Sequence, residues 1–345
     1  MSSELSKTLW RTTIPLALGI GVGVWLFKRD IDVTTLRAIS LDTHTVIGLC
    51  LALLFVVGRD FGLSWRFHTI ADGKLTWKRA IRTDIMCAFT SAITPSVVGG
   101  SALAIFYLNR EGIKIGRATT LTLTTLFLDE LFFVIFCPVI VAVVPFDSLF
   151  GSPAMQSGDM FLSGVQIVFW LVYAGIVIWT TILYFAIIAK PEASERLIKK
   201  IASWRMMRRF SGKLEGIADN MVATSHWVKG RGRSWWLKVF GATVLSWFSR
   251  YFVVNDLFWA FVPGSSAVLV FARQFVVWVV LMVSPTPGGS GISEWLFSSY
   301  YGDLIGDLGL AAVLALVWRL FSYYIYIIAG CLLLPGYFNK KEKTN

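Results

Sequence analysis

Long apolar runs alternate along the chain with short polar connections, and the runs have the length of membrane-spanning helices. A helix needs about 20 mostly apolar residues to cross a hydrocarbon core. Six stretches satisfy this, at roughly 10–27, 44–61, 117–145, 163–189, 237–262 and 308–334. Two further stretches, 83–108 and 267–301, are apolar but broken in the middle by Pro and Gly. The pattern predicts an all-α, polytopic membrane helical bundle forming one domain over 1–345, with pseudo-repeat halves at about 1–160 and 161–345. The first run ends at Lys28-Arg29 with no small-residue cleavage site, so it reads as an uncleaved span.

Composition removes the soluble alternatives. Of the 345 residues, 56% are hydrophobic and 15% charged, against about 25% charged in soluble domains. That is more apolar surface than a core can hide from water. The fifteen Trp and ten Tyr suit the aromatic belts of a bilayer interface, although any single one is equally an ordinary lipid-facing side chain. Cys50, Cys87, Cys137 and Cys331 are scattered, with no CxxC pair and no neighbouring His, so they read as small buried hydrophobes and no metal or cofactor is expected.

Net charge is +11, and its placement orients the spans. The segment 190–238 holds twelve Lys/Arg against Glu192, Glu195, Glu215 and Asp219. Long apolar runs flank it on both sides, so a cytoplasmic loop explains it better than nucleic-acid binding. Its tryptophans, Trp204, Trp227, Trp235 and Trp236, suit an interfacial anchor on anionic headgroups. Segment 59–82, with Arg59, Arg66, Lys74, Lys78, Arg79 and Arg82, reads as a second inside loop, and the tail at Lys340, Lys341 and Lys343 as a third. Segments 146–162 and 302–307 are acidic without Lys or Arg and face outside. Both termini are then cytoplasmic, in a plasma membrane.

These assignments impose a parity condition. Stretch 83–108 begins and ends beside basic inside segments, whereas 267–301 begins and ends outside. Two re-entrant hairpins of opposite orientation follow. Each bends at a similar string, Thr94-Pro95-Ser96-Val97-Val98-Gly99-Gly100-Ser101 and Pro285-Thr286-Pro287-Gly288-Gly289-Ser290-Gly291. Proline removes a backbone donor, and glycine permits positive φ and close approach. Broken backbone at membrane depth survives only inside protein or beside a water-filled cavity, and opposed broken helices point to a midplane transport site. The plainer alternative is a pair of independent kinks in two full spans.

The string Pro285-Thr286-Pro287-Gly288-Gly289-Ser290-Gly291-Ile292-Ser293-Glu294 resembles the P-x-PGG-x-G-x-x-E signature of the membrane (flippase) domain of lysylphosphatidylglycerol synthase/flippases. Thr94-Pro95 through Gly99-Gly100 resembles that family's earlier Pro/Gly motif, Asp129 falls where the family places an acid, and Arg319 with Tyr323 resembles the pair in its last span. The likeness covers roughly 10–335 and rests mainly on 285–294. It implies the lipid-translocating or lipid-binding half as a stand-alone member, without the soluble aminoacyl-transfer domain. The family's first motif continues with Glu and Arg after the glycines, whereas this chain has Ser101, Ala102, Leu103 and Ala104. A charged headgroup partner is therefore missing there, which leaves the substrate open.

Charges at membrane depth cost about 3 to more than 10 kcal/mol and need partners or a polar cavity. The candidates are Asp129 with Glu130, Arg250 with Asn255-Asp256, Arg273 with Gln274, Glu294, and Arg319. Glu294 follows the second bend by one helical turn, where the helix dipole favours an anion. It is either a site residue or a first-turn capping acid. Arg319 is its natural counter-ion or a lipid-phosphate ligand, and Arg250 and Arg273 could join it; each arginine could instead snorkel to an interface. Asp129 and Glu130 point about 100° apart on a helix, so one of them, with Asp129 favoured, faces the cavity. His44, His68 and His226 make no metal or nucleophile spacing.

The expected function is translocation of a phospholipid or glycolipid headgroup through a cavity lined by the two hairpins. The partners are membrane lipids, anionic or lipid-linked, and not nucleic acid. Two alternatives remain: a membrane transferase using a lipid-linked donor, and a proton-coupled transporter of a small polar solute.

Overall fold

The computed structural model describes residues 41–94, 99–150, 160–203 and 211–338. The predicted first span, Pro95 with the rest of 95–98, Trp204 and the basic tail lie outside the described residues. The described elements are helical. They are α1 (Thr43–Ile70), α2 (Trp77–Ile93), α3 (Gly99–Arg110), α4 (Ile115–Val143), the short α5 (Phe146–Phe150), and α6 (Met160–Tyr184), which tightens into a π-turn over Phe185–Ala189. Then come α7 (Pro191–Ala202), α8 (Ser211–Lys229), α9 (Arg233–Phe261), α10 (Ala267–Leu281), α11 (Ile292–Ile305) and α12 (Leu308–Arg319). A second π-turn, Leu320–Tyr324, joins α12 to α13 (Ile325–Phe338). Helical segments Thr43–Ile70, Ile115–Val143, Phe161–Ala189 and Leu308–Leu334 are each long and apolar enough to cross a bilayer. The predicted all-α membrane bundle is the architecture observed.

Its spine is the antiparallel pair α1–α9. A Cβ added at Gly58 would lie 2.9 Å from Ser249 Oγ, and one at Gly62 would lie 2.8 Å from the Ala242 carbonyl. Near the other end, Gly48 lies against Ala260, where the same Cβ would come within 2.6 Å. Lipid tails offer helices little hydrophobic reason to associate, so close backbone packing at small residues takes that part. Gly58 and Gly62 are spaced as GxxxG for this purpose. Two apolar clusters flank the middle of the bundle. One gathers Phe132, Phe133, Tyr251, Phe275 and Phe297, and the other Phe67, Ile70, Leu121, Leu128 and Val239.

Both interrupted stretches fold as helical hairpins. In the first, Thr90 Oγ1 lies 2.6 Å from Tyr107 Oη, and Arg79 beside the start of α2 reaches Glu111 beyond the end of α3 at 3.4 Å. In the second, Gln274 of α10 donates to Tyr301 Oη of α11 at 2.7 Å, and Tyr301 Oη donates to the Val270 carbonyl at 3.0 Å. In each stretch residues on the two sides of the bend come into contact, as in a hairpin. Gly99 and Gly100 are the first two residues of α3.

Two sequence expectations need correction. Segment 59–82 is not a loop: α1 continues to Ile70 and only 71–76 connects it to α2. Arg59 and Arg66 closed the apolar window at 61, but they lie seven residues apart, on one stripe of the helix that faces inward. Segment 190–238 is likewise not a plain loop but a hairpin of α7 and α8, followed by the start of α9. Lys199 bridges Glu195 and Asp219 at 2.6 and 2.9 Å, and Glu192 meets His226 at 3.0 Å. Trp227 is held between the guanidinium groups of Arg117 and Arg231, at 4.8 and 3.8 Å from the ring centre. That indole is engaged by protein cations, which leaves less of it for lipid headgroups.

Candidate functional site

The second bend is built by its glycines. Gly288, Gly289 and Gly291 have φ of 54°, 74° and 83°, a region costly for residues with a Cβ. At Gly288 a side chain would also run into the Tyr323 ring and the Ala92 carbonyl, the latter at 2.9 Å. With that space open, Gly288 N donates to the Thr94 carbonyl at 3.2 Å. The two hairpins therefore meet backbone to backbone at their bends. Tyr323 Oη donates to the Ala92 carbonyl at 3.3 Å, fastening the last span to the same place.

Glu294 is fully buried at the N-terminus of α11. One oxygen accepts from Gly291 N and Ser293 Oγ, each at 2.8 Å, which makes Glu294 a first-turn cap. The other accepts from Arg319 Nε at 2.9 Å. Capping acid and counter-ion are thus the same residue. Glu294 does not line the cavity; it stands behind Arg319 and fixes it. Arg319 Nη2 donates to the Gly288 carbonyl at 3.1 Å, and the guanidinium lies 3.9 Å over the Tyr323 ring. The π-turn at 320–324 turns Arg319, Ser322, Tyr323 and Tyr326 all toward one cavity, a use typical of such turns at functional sites.

That cavity, of about 170 Å³, lies between the hairpins and the α1–α9 spine. Four arginines line it, Arg59, Arg66, Arg250 and Arg319, with Asp84, Asp129 and Glu130. Three of the arginines are paired. Arg66 grips Asp129 through both nitrogens at 2.6 and 3.0 Å, and Trp247 Nε1 donates to the same carboxylate at 2.9 Å. Arg59 meets Asp60 at 3.0 Å and lies 4.2 Å over the Tyr326 ring; Tyr326 Oη donates to Asp60 at 2.8 Å. Arg319 has Glu294.

The remaining three groups are open. Arg250 makes no hydrogen bond or ion pair with a described residue, and its Nε is buried without an acceptor. It sits in the corner formed by the Trp247 and Trp278 rings, which meet edge to face, at 4.6 and 4.5 Å from their centres. Asp84 is 2% exposed and Glu130 8%, and each has a buried oxygen with no hydrogen-bond partner among the described residues. A buried unpaired polar atom costs about 1–3 kcal/mol. Among the described residues, three charged groups around one cavity are thus without a hydrogen-bond or ion-pair partner, and they would be complemented by an anion at Arg250 and hydrogen-bond donors at the two carboxyls.

The structure thus assembles Arg319, Arg250 and Asp129 around the cavity, with Glu294 directly behind. Glu130 joins Asp129 there, against the expectation that one of the two would face in; the cavity curves around α4 and receives both. Arg273 is placed elsewhere. Its Nη2 donates to Asp303 at 2.7 Å and to the Ser148 carbonyl at 3.0 Å, and its Nη1 to the Tyr300 carbonyl at 2.7 Å. This is a clamp across the ends of the second hairpin. Asn255 donates to the Ala267 carbonyl at 2.8 Å and supports the α9–α10 connection. Sequence reading missed Arg59, Arg66 and Asp84. The available signal was the i, i+4, i+7 stripe Arg59, Leu63, Arg66, all three of which line the cavity.

A membrane bundle whose two helical hairpins meet at glycine bends beside a charged cavity defines a class of polytopic membrane protein. The chain belongs to the family described as the lysylphosphatidylglycerol synthase TM region, whose profile matches residues 13–330, and it is an integral membrane protein. A "UPF0104 membrane protein" of Archaeoglobus fulgidus is 22% identical over 298 residues, covering 82% of this chain and 85% of that one. No solved structure matches the chain.

Proposed function

We propose that this protein is a membrane lipid translocator that takes a phospholipid or glycolipid headgroup into the central cavity while the tails stay in the bilayer. The observation that carries the reading is Arg250, a guanidinium without an ion-pair or hydrogen-bond partner among the described residues, set against two indole rings in a cavity where the bends of two hairpins touch. In the proposed topology the hairpins are re-entrant from opposite faces of a plasma membrane, with cytoplasmic termini. The complementary headgroup carries a phosphate for Arg250 and hydroxyl or ammonium donors for Asp84 and Glu130. A guanidinium suits phosphate in both geometry and permanent charge.

The test is reconstitution into vesicles of phosphatidylcholine, phosphatidylglycerol and phosphatidylethanolamine. Outward-facing phosphatidylglycerol is counted by periodate oxidation of its diol, and phosphatidylethanolamine by an impermeant amine reagent. Wild type should move at least one of these, and Arg250→Ala should slow that movement with the protein still folded. Equal rates in both proteins would remove Arg250 from the site.

A second reading, proton-coupled transport of a small polar solute, is favoured by Asp84 and Glu130, buried carboxyls each with an oxygen that meets no hydrogen-bond partner among the described residues. Uptake of a soluble phosphate ester driven by a proton gradient, with no lipid movement, would establish it in place of the first.

A further inference from the structure

A second concavity, of about 410 Å³, runs over the flank of the bundle between α4, α6 and the end of α10. Its walls are Leu171, Gly175 and Trp179 of α6 with Met282 and Val283 at the second bend, and Glu130 closes its inner end. The walls are apolar and open outward: Leu171 is 69% exposed, Trp179 46% and Val283 59%. Glu130 and Met282 also line the central cavity. Groove and cavity therefore share a boundary, and the group standing on it is a carboxyl without a hydrogen-bond partner among the described residues.

Gly175 lies mid-way along Phe161–Ala189, a helical segment long and apolar enough to cross a bilayer, so a spanning segment would carry the groove near mid-depth. A headgroup held in the cavity cannot bring its tails along. Each methylene moved from an apolar to a wet environment costs about 0.8 kcal/mol, while the charged head would pay a larger penalty in hydrocarbon. A polar chamber joined to an apolar, lipid-open furrow at the same depth satisfies both demands at once.

We propose that this groove holds the acyl chains of a phospholipid while its headgroup occupies the central cavity, and that Glu130 marks the threshold the headgroup crosses. The inference rests on the lipid-translocation reading above. It adds the route: lateral, between α4 and α6, past the second bend. The small residue at 175 opens the furrow, because a Cβ added there meets nothing within 4 Å. A larger side chain at 175 therefore starts into open space on the groove side without a clash at its Cβ.

The experiment uses the full chain in the vesicles described above, with Gly175→Trp, Gly175→Leu, Arg250→Ala and Ile178→Trp. Ile178 is 62% exposed on the same helix and does not line the groove. Gly175→Trp should slow lipid movement about tenfold or more, the equivalent of losing roughly two methylenes of chain contact. Gly175→Leu should fall between it and wild type, and Ile178→Trp should match wild type. Gly175→Trp at the wild-type rate alongside a slow Arg250→Ala would overturn the groove and leave lipid translocation standing. No lipid movement by wild type, with uptake of soluble glycerol phosphate, would remove both readings. Should Gly175→Trp fail to fold, phosphatidylglycerol with a diazirine in mid-chain gives a second readout. Labelling of peptide 171–179 should fall several-fold in Arg250→Ala, and equal labelling of the two proteins would overturn the proposal.

Discussion

The outer end of the second hairpin and the central cavity each hold an arginine drawn inward, and they treat it in opposite ways. At the hairpin end, Arg273 spends its donors on the Asp303 carboxylate and on the Ser148 and Tyr300 carbonyls. In the cavity, Arg250 has, among the described residues, the rings of Trp247 and Trp278 and no hydrogen-bond acceptor. Both lie in apolar helices, and the sequence offered both as candidates. What separates them is satisfaction: the donors of one guanidinium are filled by its own chain, and those of the other meet no acceptor among the described residues, which makes it the candidate for a ligand. Arg319 is intermediate, since Glu294, Ser290 and the Gly288 carbonyl orient it while it still borders the cavity.

Substitutions can break or sharpen this contrast. The largest effect is expected from Arg319→Ala, which strands a fully buried Glu294. Removing one partner of a buried pair costs about 3–5 kcal/mol, so unfolding in detergent should shift strongly, and Arg319→Ala/Glu294→Gln should recover part of the loss. A double variant no more stable than the single one would mean that a stranded Glu294 charge is not what destabilises Arg319→Ala. Next comes Arg250→Ala. A charge-assisted bond to a phosphate is worth about 1.5–3 kcal/mol, so lipid movement should fall on the order of tenfold to a hundredfold while thermal stability barely changes. Loss of stability equal to the loss of transport would make Arg250 a structural residue like Arg273.

Arg273→Ala should behave in the reverse manner. Unsatisfied carbonyls and the lost clamp should cost about 1–3 kcal/mol in unfolding, with transport per folded molecule unchanged. Reduced transport at full folding would extend the site to the outer hairpin end. The smallest change is expected from Trp278→Phe, which keeps an aromatic face over Arg250 but a weaker one. A cation–π contact of this kind is worth about 0.5–2 kcal/mol, so transport should drop less than in Arg250→Ala. A larger drop than in Arg250→Ala would shift the emphasis from charge to shape.

The apolar periodicity made the spans legible, because a bilayer imposes a length on every helix that crosses it. It was less informative about where α1 ends. Arg59 and Arg66 look like the start of a loop when hydropathy is averaged over a window, yet a helix can carry charge on one stripe and remain a helix. Asp84 was hidden in the same way among Lys78, Arg79 and Arg82, where an acid reads as loop polarity and not as a cavity wall. Glu294 was legible as a residue of interest and ambiguous in role, since a cap and an ion-pair partner have the same spacing from the bend. Both roles turned out to be its own.

By itself the sequence determined a helical membrane protein, two Pro/Gly interruptions, and the short set of ionisable residues that lie at apolar depth. Those are local properties, fixed by hydropathy, by the missing N–H of proline and by the φ freedom of glycine. Only the tertiary structure decided which charges cancel. Arg66 and Asp129 are 63 positions apart and Arg319 and Glu294 are 25, and their pairing depends on how α1, α4, α11 and α12 stack. The candidate site is the remainder after that cancellation, Arg250 with Asp84 and Glu130, and a remainder of pairwise contacts cannot be read before the contacts exist.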